Sequence, residues 1–152
     1  MVDPILMKRM AVNVMGNKFA SENMWDSSHR PEQLFTVKYI ADEYPDWTIK
    51  TEYPVGNLSV DGKPYRTCIL DIAVTQPRKI AIRLNGGYHF TSSRQELKDE
   101  LQKIALEQVG WQVLDLDHHM LPWLFKVKKS SSKKTLKLAT EELDFIATKY
   151  FI

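Results

Sequence analysis

A spacing constrains this chain more than any other feature. Two apolar, β-rich runs, Tyr65–Val74 and Lys79–Leu84, are separated by little more than the turn Gln76-Pro77-Arg78. A connection that short suits an antiparallel pair. After Asn85-Gly86-Gly87 breaks the second run, a helical period extends from Ser93 to Val109, with Leu97, Leu101, Ile104 and Ala105 as its apolar face and Gly110 as its stop. A further strand, Trp111–Leu116, follows, so this half of the chain predicts a parallel crossover. Upstream, Arg30-Pro31-Glu32 opens a helix whose stripe is Leu34, Val37, Tyr39, Ile40 and Ala41 and which should end before Pro45. Trp47–Tyr53 alternates as a strand ended by Pro54 and Gly56, and Asp61-Gly62 marks a turn. Leu121–Val127 reads as a short helix and Thr135–Tyr150 as a longer one. The fold class predicted is therefore α/β, a single-domain mixed β-sheet flanked by helices, and not a doubly wound nucleotide-binding fold. The expected organisation is an arm over 1–28, a core over 29–125, a basic linker over 126–134 and a C-terminal helix over 135–152.

The composition admits this. With 152 residues there is chain for one real core, and 43% apolar against 26% charged argues against a disordered or fibrous chain. No run reaches the roughly 18 uncharged apolar residues of a membrane helix. The charged N-terminus MVDPILMKRM does not read as a secretory signal. One cysteine, Cys68, supports neither an internal disulfide nor a cysteine-based metal site, so a cytoplasmic location is expected. The net charge of +2 leaves any nucleic-acid partner to be decided by where the charges lie.

Four residues invite a chemical reading, and each also has a plain one. Asp71 lies within Cys-Ile-Leu-Asp-Ile-Ala-Val, where a carboxylate is costly to desolvate unless paired or metal-bound; otherwise it faces solvent at a strand edge. His89 follows a Gly-Gly break at a strand mouth, where an imidazole is either a catalyst or a packed or solvated side chain. Asp99 stands among Glu96, Lys98 and Glu100 on a helix, and Glu32 in a first turn complements the helix dipole.

In this order and spacing the residues resemble the PD-(D/E)XK (restriction-endonuclease-like) nuclease fold. Within it they are most similar to the Glu-Asp-x-His-Asp branch of very-short-patch mismatch-repair endonucleases and related homing endonucleases. Pro31-Glu32, Asp71, Arg83 at the variable position, His89 and Asp99 match that pattern, followed by Lys98–Leu114 with its Gly110-Trp111. The resemblance spans about residues 30–120. It implies a Mg²⁺-dependent endonuclease acting on double-stranded DNA, with Asp71 as metal ligand, His89 as general base, Asp99 orienting it and Glu32 as an outer acid. The wider fold carries Glu-x-Lys where this chain has Arg83-Leu84-Asn85. An arginine side chain cannot ligate Mg²⁺, so the resemblance implies the main-chain carbonyl of Arg83 as ligand. Its guanidinium would contact the scissile phosphate or neutralise Asp71.

DNA contacts are expected from Arg83, Arg94, Lys126, Lys128 and Lys129. The run from Lys126 to Lys134 holds five lysines in nine residues and reads as a backbone-binding arm or as a solvated linker. Lys8, Arg9, Lys18 and Arg30 offer a second arm. Trp25 and Trp123 read as core or lid. His118 and His119 are expected to point to opposite faces of a strand end, which disfavours a zinc site. The C-terminal stripe of Leu136, Ala139, Leu143, Ile146 and Tyr150 must be buried, against its own sheet or against a partner in a homodimer.

No membrane and no nucleotide cofactor are expected. A homing-type enzyme, of the kind phages and mobile elements encode, is favoured over a mismatch-repair nicking enzyme, because the repair enzymes' structural zinc needs cysteines this chain lacks. The alternative from another class is a non-catalytic RNA-binding module of the RAP type, which shares a Gly-x-x-His-Phe element with Gly86–Phe90. A toxin or restriction-like enzyme with partner-set specificity is a third reading.

Overall fold

The computed structural model describes residues 29–86 and 93–151, so the arm expected over 1–28 lies outside the described residues. The elements run α1 (Pro31–Glu43), β1 (Thr48–Val55), β2 (Leu58–Val60), β3 (Lys63–Tyr65), β4 (Cys68–Gln76), β5 (Ile80–Asn85), α2 (Ser93–Gln108), β6 (Gln112–Asp117), a 3₁₀ turn (Leu124–Lys126) and α3 (Lys133–Tyr150). Among the described residues four strands form a sheet in the order β1-β4-β5-β6. The first two pairings are antiparallel and β5–β6 is parallel, with α2 as the crossover. This is the mixed α/β sheet flanked by helices that the strand spacing predicts.

Local chemistry explains most boundaries. Proline opens α1 and the Tyr44 N–H closes it on the Ile40 carbonyl, directly before Pro45. Gly110 ends α2 at φ +95°, with Trp111 N–H on the Leu106 carbonyl and Gly110 N–H on that of Glu107, a Schellman stop. Ser132 caps α3 by accepting the Thr135 N–H.

Other boundaries differ from expectation. β1 runs through Pro54 to Val55 instead of ending there, which an edge strand tolerates because one side of its ladder is unpaired. Tyr65 belongs to a separate hairpin, β2–β3, that closes around Asp61 and Gly62, both with positive φ. The helix expected over 121–127 is a single 3₁₀ turn, pinned by the Glu142 carboxylate, which accepts the Trp123 and Leu124 N–H groups. The lysine run is not one linker. Lys126 ends the 3₁₀ turn, Lys128 to Ser131 form a tight turn, and Lys133 and Lys134 already belong to α3.

The sheet is covered on both faces. On one side Ile49, Ile72, Val74, Ile80, Ile82, Leu114 and Leu116 pack with α1, α3 and the 3₁₀ turn. On the other, Leu70, Ala73, Ala81, Ala105, Leu106 and Trp111 form a smaller core under α2 and the hairpin. The α3 stripe packs into the first core, where Ala139, Leu143 and Ile146 are buried and Leu136 and Tyr150 are partly buried. Trp123 packs against the same core, with the Lys126 ammonium 4.8 Å from its ring centre. No helix among the described residues is long and apolar enough to cross a membrane.

Candidate active site

Residues two apart on a strand should share a face, and at Asp71 that rule breaks. Leu70 packs under α2, whereas Ile72 packs under α1 and α3. The neighbouring strand changes face at the same place, with Ile49 in one core and Val55 in the other. Between the pairs Thr51–Ile72 and Tyr53–Leu70, Glu52 adopts φ +47°, a left-handed conformation that costs a residue with a Cβ roughly 1–2 kcal/mol. The strands thus twist through a half-step, and the side chain at the flip is committed to neither core. That is how a carboxylate sits inside an apolar strand without being drowned in it; Asp71 keeps 30% of its side chain exposed.

Asp71 is held from three directions. Its Oδ2 accepts the Leu84 N–H at 2.9 Å, standing in for a ladder carbonyl just where the β4–β5 pairing stops at Ile72–Ile82. Its main-chain carbonyl accepts from Gln33 Nε2 at 2.7 Å. Its Oδ1 lies 3.5 Å from the Arg30 guanidinium, which also sits 3.7 Å from Glu32. The opening turn of α1 thereby brings Glu32, which is buried, to Asp71 across 38 intervening positions.

A cleft of about 360 Å³ adjoins Asp71, between the carboxyl ends of β5 and β6 and the first turns of α2. Arg83, Asn85, Gln95, Asp99, Gln102, Asp115 and Asp117 line it. Parallel pairing sets Arg83 beside Asp115 and Asn85 beside Asp117. A larger concavity of about 490 Å³ lies between α1 and α3, but Lys38 bonds Asp42 there and Tyr39 bonds Asp144, and it holds none of the candidate catalytic, metal-binding or DNA-binding residues.

Of the two roles expected for the Arg83 guanidinium, neutralising Asp71 falls to Arg30 instead. Arg83 Nε and Nη2 donate to the two oxygens of Asp115 at 2.6 and 2.8 Å, and its Nη1 donates to the Asp99 carbonyl and to Gln102 Oε1, both at 2.9 Å. Burial alone pulls the guanidinium pKa down, but the hydrogen bonds and charge of Asp115 outweigh it and leave the group above its ordinary value. Arg83 therefore clamps α2 to β6, and Arg30 is the cation beside Asp71. Replacing Arg83 by Ala is expected to lower stability by about 2 kcal/mol, or roughly 4–8 °C in Tm, by stripping a half-buried carboxylate of its fork. Thermal melts test this; an unchanged Tm with lost DNA affinity would return Arg83 to a phosphate-binding role.

The remaining predicted residues fall as follows. The Asp99 carboxylate accepts from Gln95 Nε2 at 2.9 Å and faces the cleft. Arg94 is exposed on the opening turn of α2, Lys126 is exposed at the end of the 3₁₀ turn, and Lys128 and Lys129 are exposed just beyond it. His89 lies outside the described residues. His118 and His119 occupy the turn after β6, and their rings meet at 3.9 Å instead of facing apart, because the strand has already ended.

Sequence reasoning misses Arg30, Gln33, Gln102 and Asp115 as site residues. Asp115 has a legible signal: Leu114-Asp115-Leu116-Asp117 places both carboxylates on one face of a strand whose other face is apolar. The expected inner face of α2 holds in part: Ala105 is buried and Leu101 and Ile104 are half-buried, but Leu97 is 59% exposed, Leu106 is buried, and Gln95, Asp99 and Gln102 border the cleft. Polar residues occupy the face that borders the cleft, so apolar periodicity points elsewhere.

Mg²⁺ takes oxygen ligands and is held by one or two carboxylates together with substrate phosphates and water. Asp71, with Glu32 at the same arginine, fits that donor chemistry. The Arg83 carbonyl expected as a second ligand does not join them, because the Leu84 N–H of its own trans peptide faces Asp71 and the carbonyl therefore points the other way, toward β6. Among the described residues no group of three or more His, Cys, Asp or Glu side chains is placed to hold a metal ion. Comparison with known proteins found no matching family model, no matching curated protein and no matching solved structure.

Proposed function

We propose that the protein is a Mg²⁺-dependent endonuclease that hydrolyses phosphodiester bonds in duplex DNA, of the homing type, acting in the cytoplasm. The observation that carries this reading is Asp71. A carboxylate is fixed at the point where two strands change face, beside Glu32 and at the mouth of a polar cleft bordered by Asp99. Asp71 holds the cation, which when bound offsets the negative charge that builds on the phosphate. His89 takes the proton from the attacking water, Asp99 orients the imidazole, and Glu32 adds negative potential behind Asp71.

Affinity for the DNA backbone comes from the lysines. Those of the 126–134 run gather around the start of α3, a helix terminus that itself favours anions. The proposal keeps a homodimer, since a small domain reaches a long site by two-fold repetition. Replacing Lys126, Lys128 and Lys129 by alanine should reduce the slope of log K against log salt by about 0.9 for each phosphate that is no longer neutralised. An unchanged slope would make the run a solvated surface.

The function is tested with end-labelled duplex DNA and single-stranded RNA, each in Mg²⁺ and in EDTA. Duplex cleavage that requires Mg²⁺ is the expected result. Metal-independent RNA binding with no cleavage of either substrate would replace the nuclease by an RNA-binding module.

A further inference from the structure

Two arginines stand at this site, and their bonding differs. Arg83 has its guanidinium satisfied by two oxygens of Asp115, the Asp99 carbonyl and Gln102. Among the described residues, Arg30 meets its acidic neighbours at ionic distances, 3.7 Å to Glu32 and 3.5 Å to Asp71, and its side chain is 40% exposed. Those two contacts hold it by charge and not by a bidentate fork, and charge is what a second cation can replace.

We propose that Arg30 is an internal counter-cation for the Glu32–Asp71 pair, which a divalent ion must displace in order to bind. The inference rests on the nuclease reading of Asp71. Because Leu84 N–H holds the Asp71 carboxylate and Gln33 holds its carbonyl, the acid keeps its place when the guanidinium leaves. The main chain of Glu32 is fixed in the first turn of α1, where the Thr36 hydroxyl bonds its carbonyl at 2.7 Å, and the residue is buried. The Asp71 carboxylate therefore stays ordered, and Glu32 stays beside it, while the charge between them is exchanged. Arg30 keeps the affinity of the free protein for the ion low, so that ion and DNA arrive together.

The test is a titration of Mn²⁺ into the full chain without DNA, read by the free-ion electron paramagnetic resonance signal. Arg30→Gln should bind Mn²⁺ roughly fivefold more tightly than the unmodified protein, the scale expected for removing a partly solvated ion pair. Arg30→Lys, which keeps the charge, should return the affinity toward the original value. Adding Asp71→Asn to Arg30→Gln should abolish the gain. Affinity in Arg30→Gln that is unchanged or weaker, at an unchanged Tm, overturns the proposal, as does a gain that survives Asp71→Asn or the absence of Mn²⁺ binding in every variant. None of these outcomes decides the nuclease reading, which stands or falls separately on Mg²⁺-dependent cleavage by the unmodified protein.

Discussion

Asp71→Asn is expected to reduce Mg²⁺-dependent cleavage by about 10³-fold or more while the melting temperature stays within about 2 °C. The amide oxygen of asparagine can still accept the Leu84 N–H that fixes the side chain at 2.9 Å, so the flip between the strands is preserved. What disappears is the negative charge. In the fold this charge faces Arg30 across a partly exposed gap of 3.5 Å, an interaction worth at most about 1 kcal/mol. In the reaction the charge holds the cation, whose contribution of several kcal/mol to transition-state stabilisation corresponds to three or more decades in rate. Thermal melts and single-turnover cleavage on the same preparation separate the two effects. Full activity at an unchanged Tm would remove Asp71 from the site.

His89→Ala is expected to cost about 10²-fold or more in rate with little change in DNA affinity, since a general base acts on the attacking water and not on binding. The pH profile gives the sharper signature. An imidazole must be neutral to accept a proton, so the unmodified enzyme should lose activity as pH falls through about 6.5, the ordinary histidine value. The variant should lack that acid limb, leaving a lower and flatter profile. A mutant that retains the same limb excludes His89 as the base.

Helix and strand identities are legible where local chemistry decides them. Pro31 and Pro45 bracket α1, Gly110 stops α2, and the turn at Gln76-Pro77 separates β4 from β5. The departures arise where the deciding partner is distant or the local cue is misleading. Nothing in Glu52 announces a left-handed residue, yet its conformation lies beside the face change of both strands and next to Asp71. The partner of Arg83 lies 32 positions away, and only the register of the parallel pair brings Asp115 to it. Arg30 reads from the sequence as part of a possible arm, because its position beside Asp71 depends on how α1 docks on the sheet. Asp71, Asp99 and Glu32 are visible in the sequence, and the structure brings Asp71 and Glu32 to one arginine while Asp99 borders the adjoining cleft.

The most direct measurement of the central claim compares supercoiled plasmid incubated with the unmodified protein and with Asp71→Asn, purified in parallel, each in Mg²⁺ and in EDTA. The account predicts conversion to nicked or linear DNA only for the unmodified protein with Mg²⁺. Equal cleavage by both proteins, cleavage that persists in EDTA, or none in any of the four reactions would contradict it.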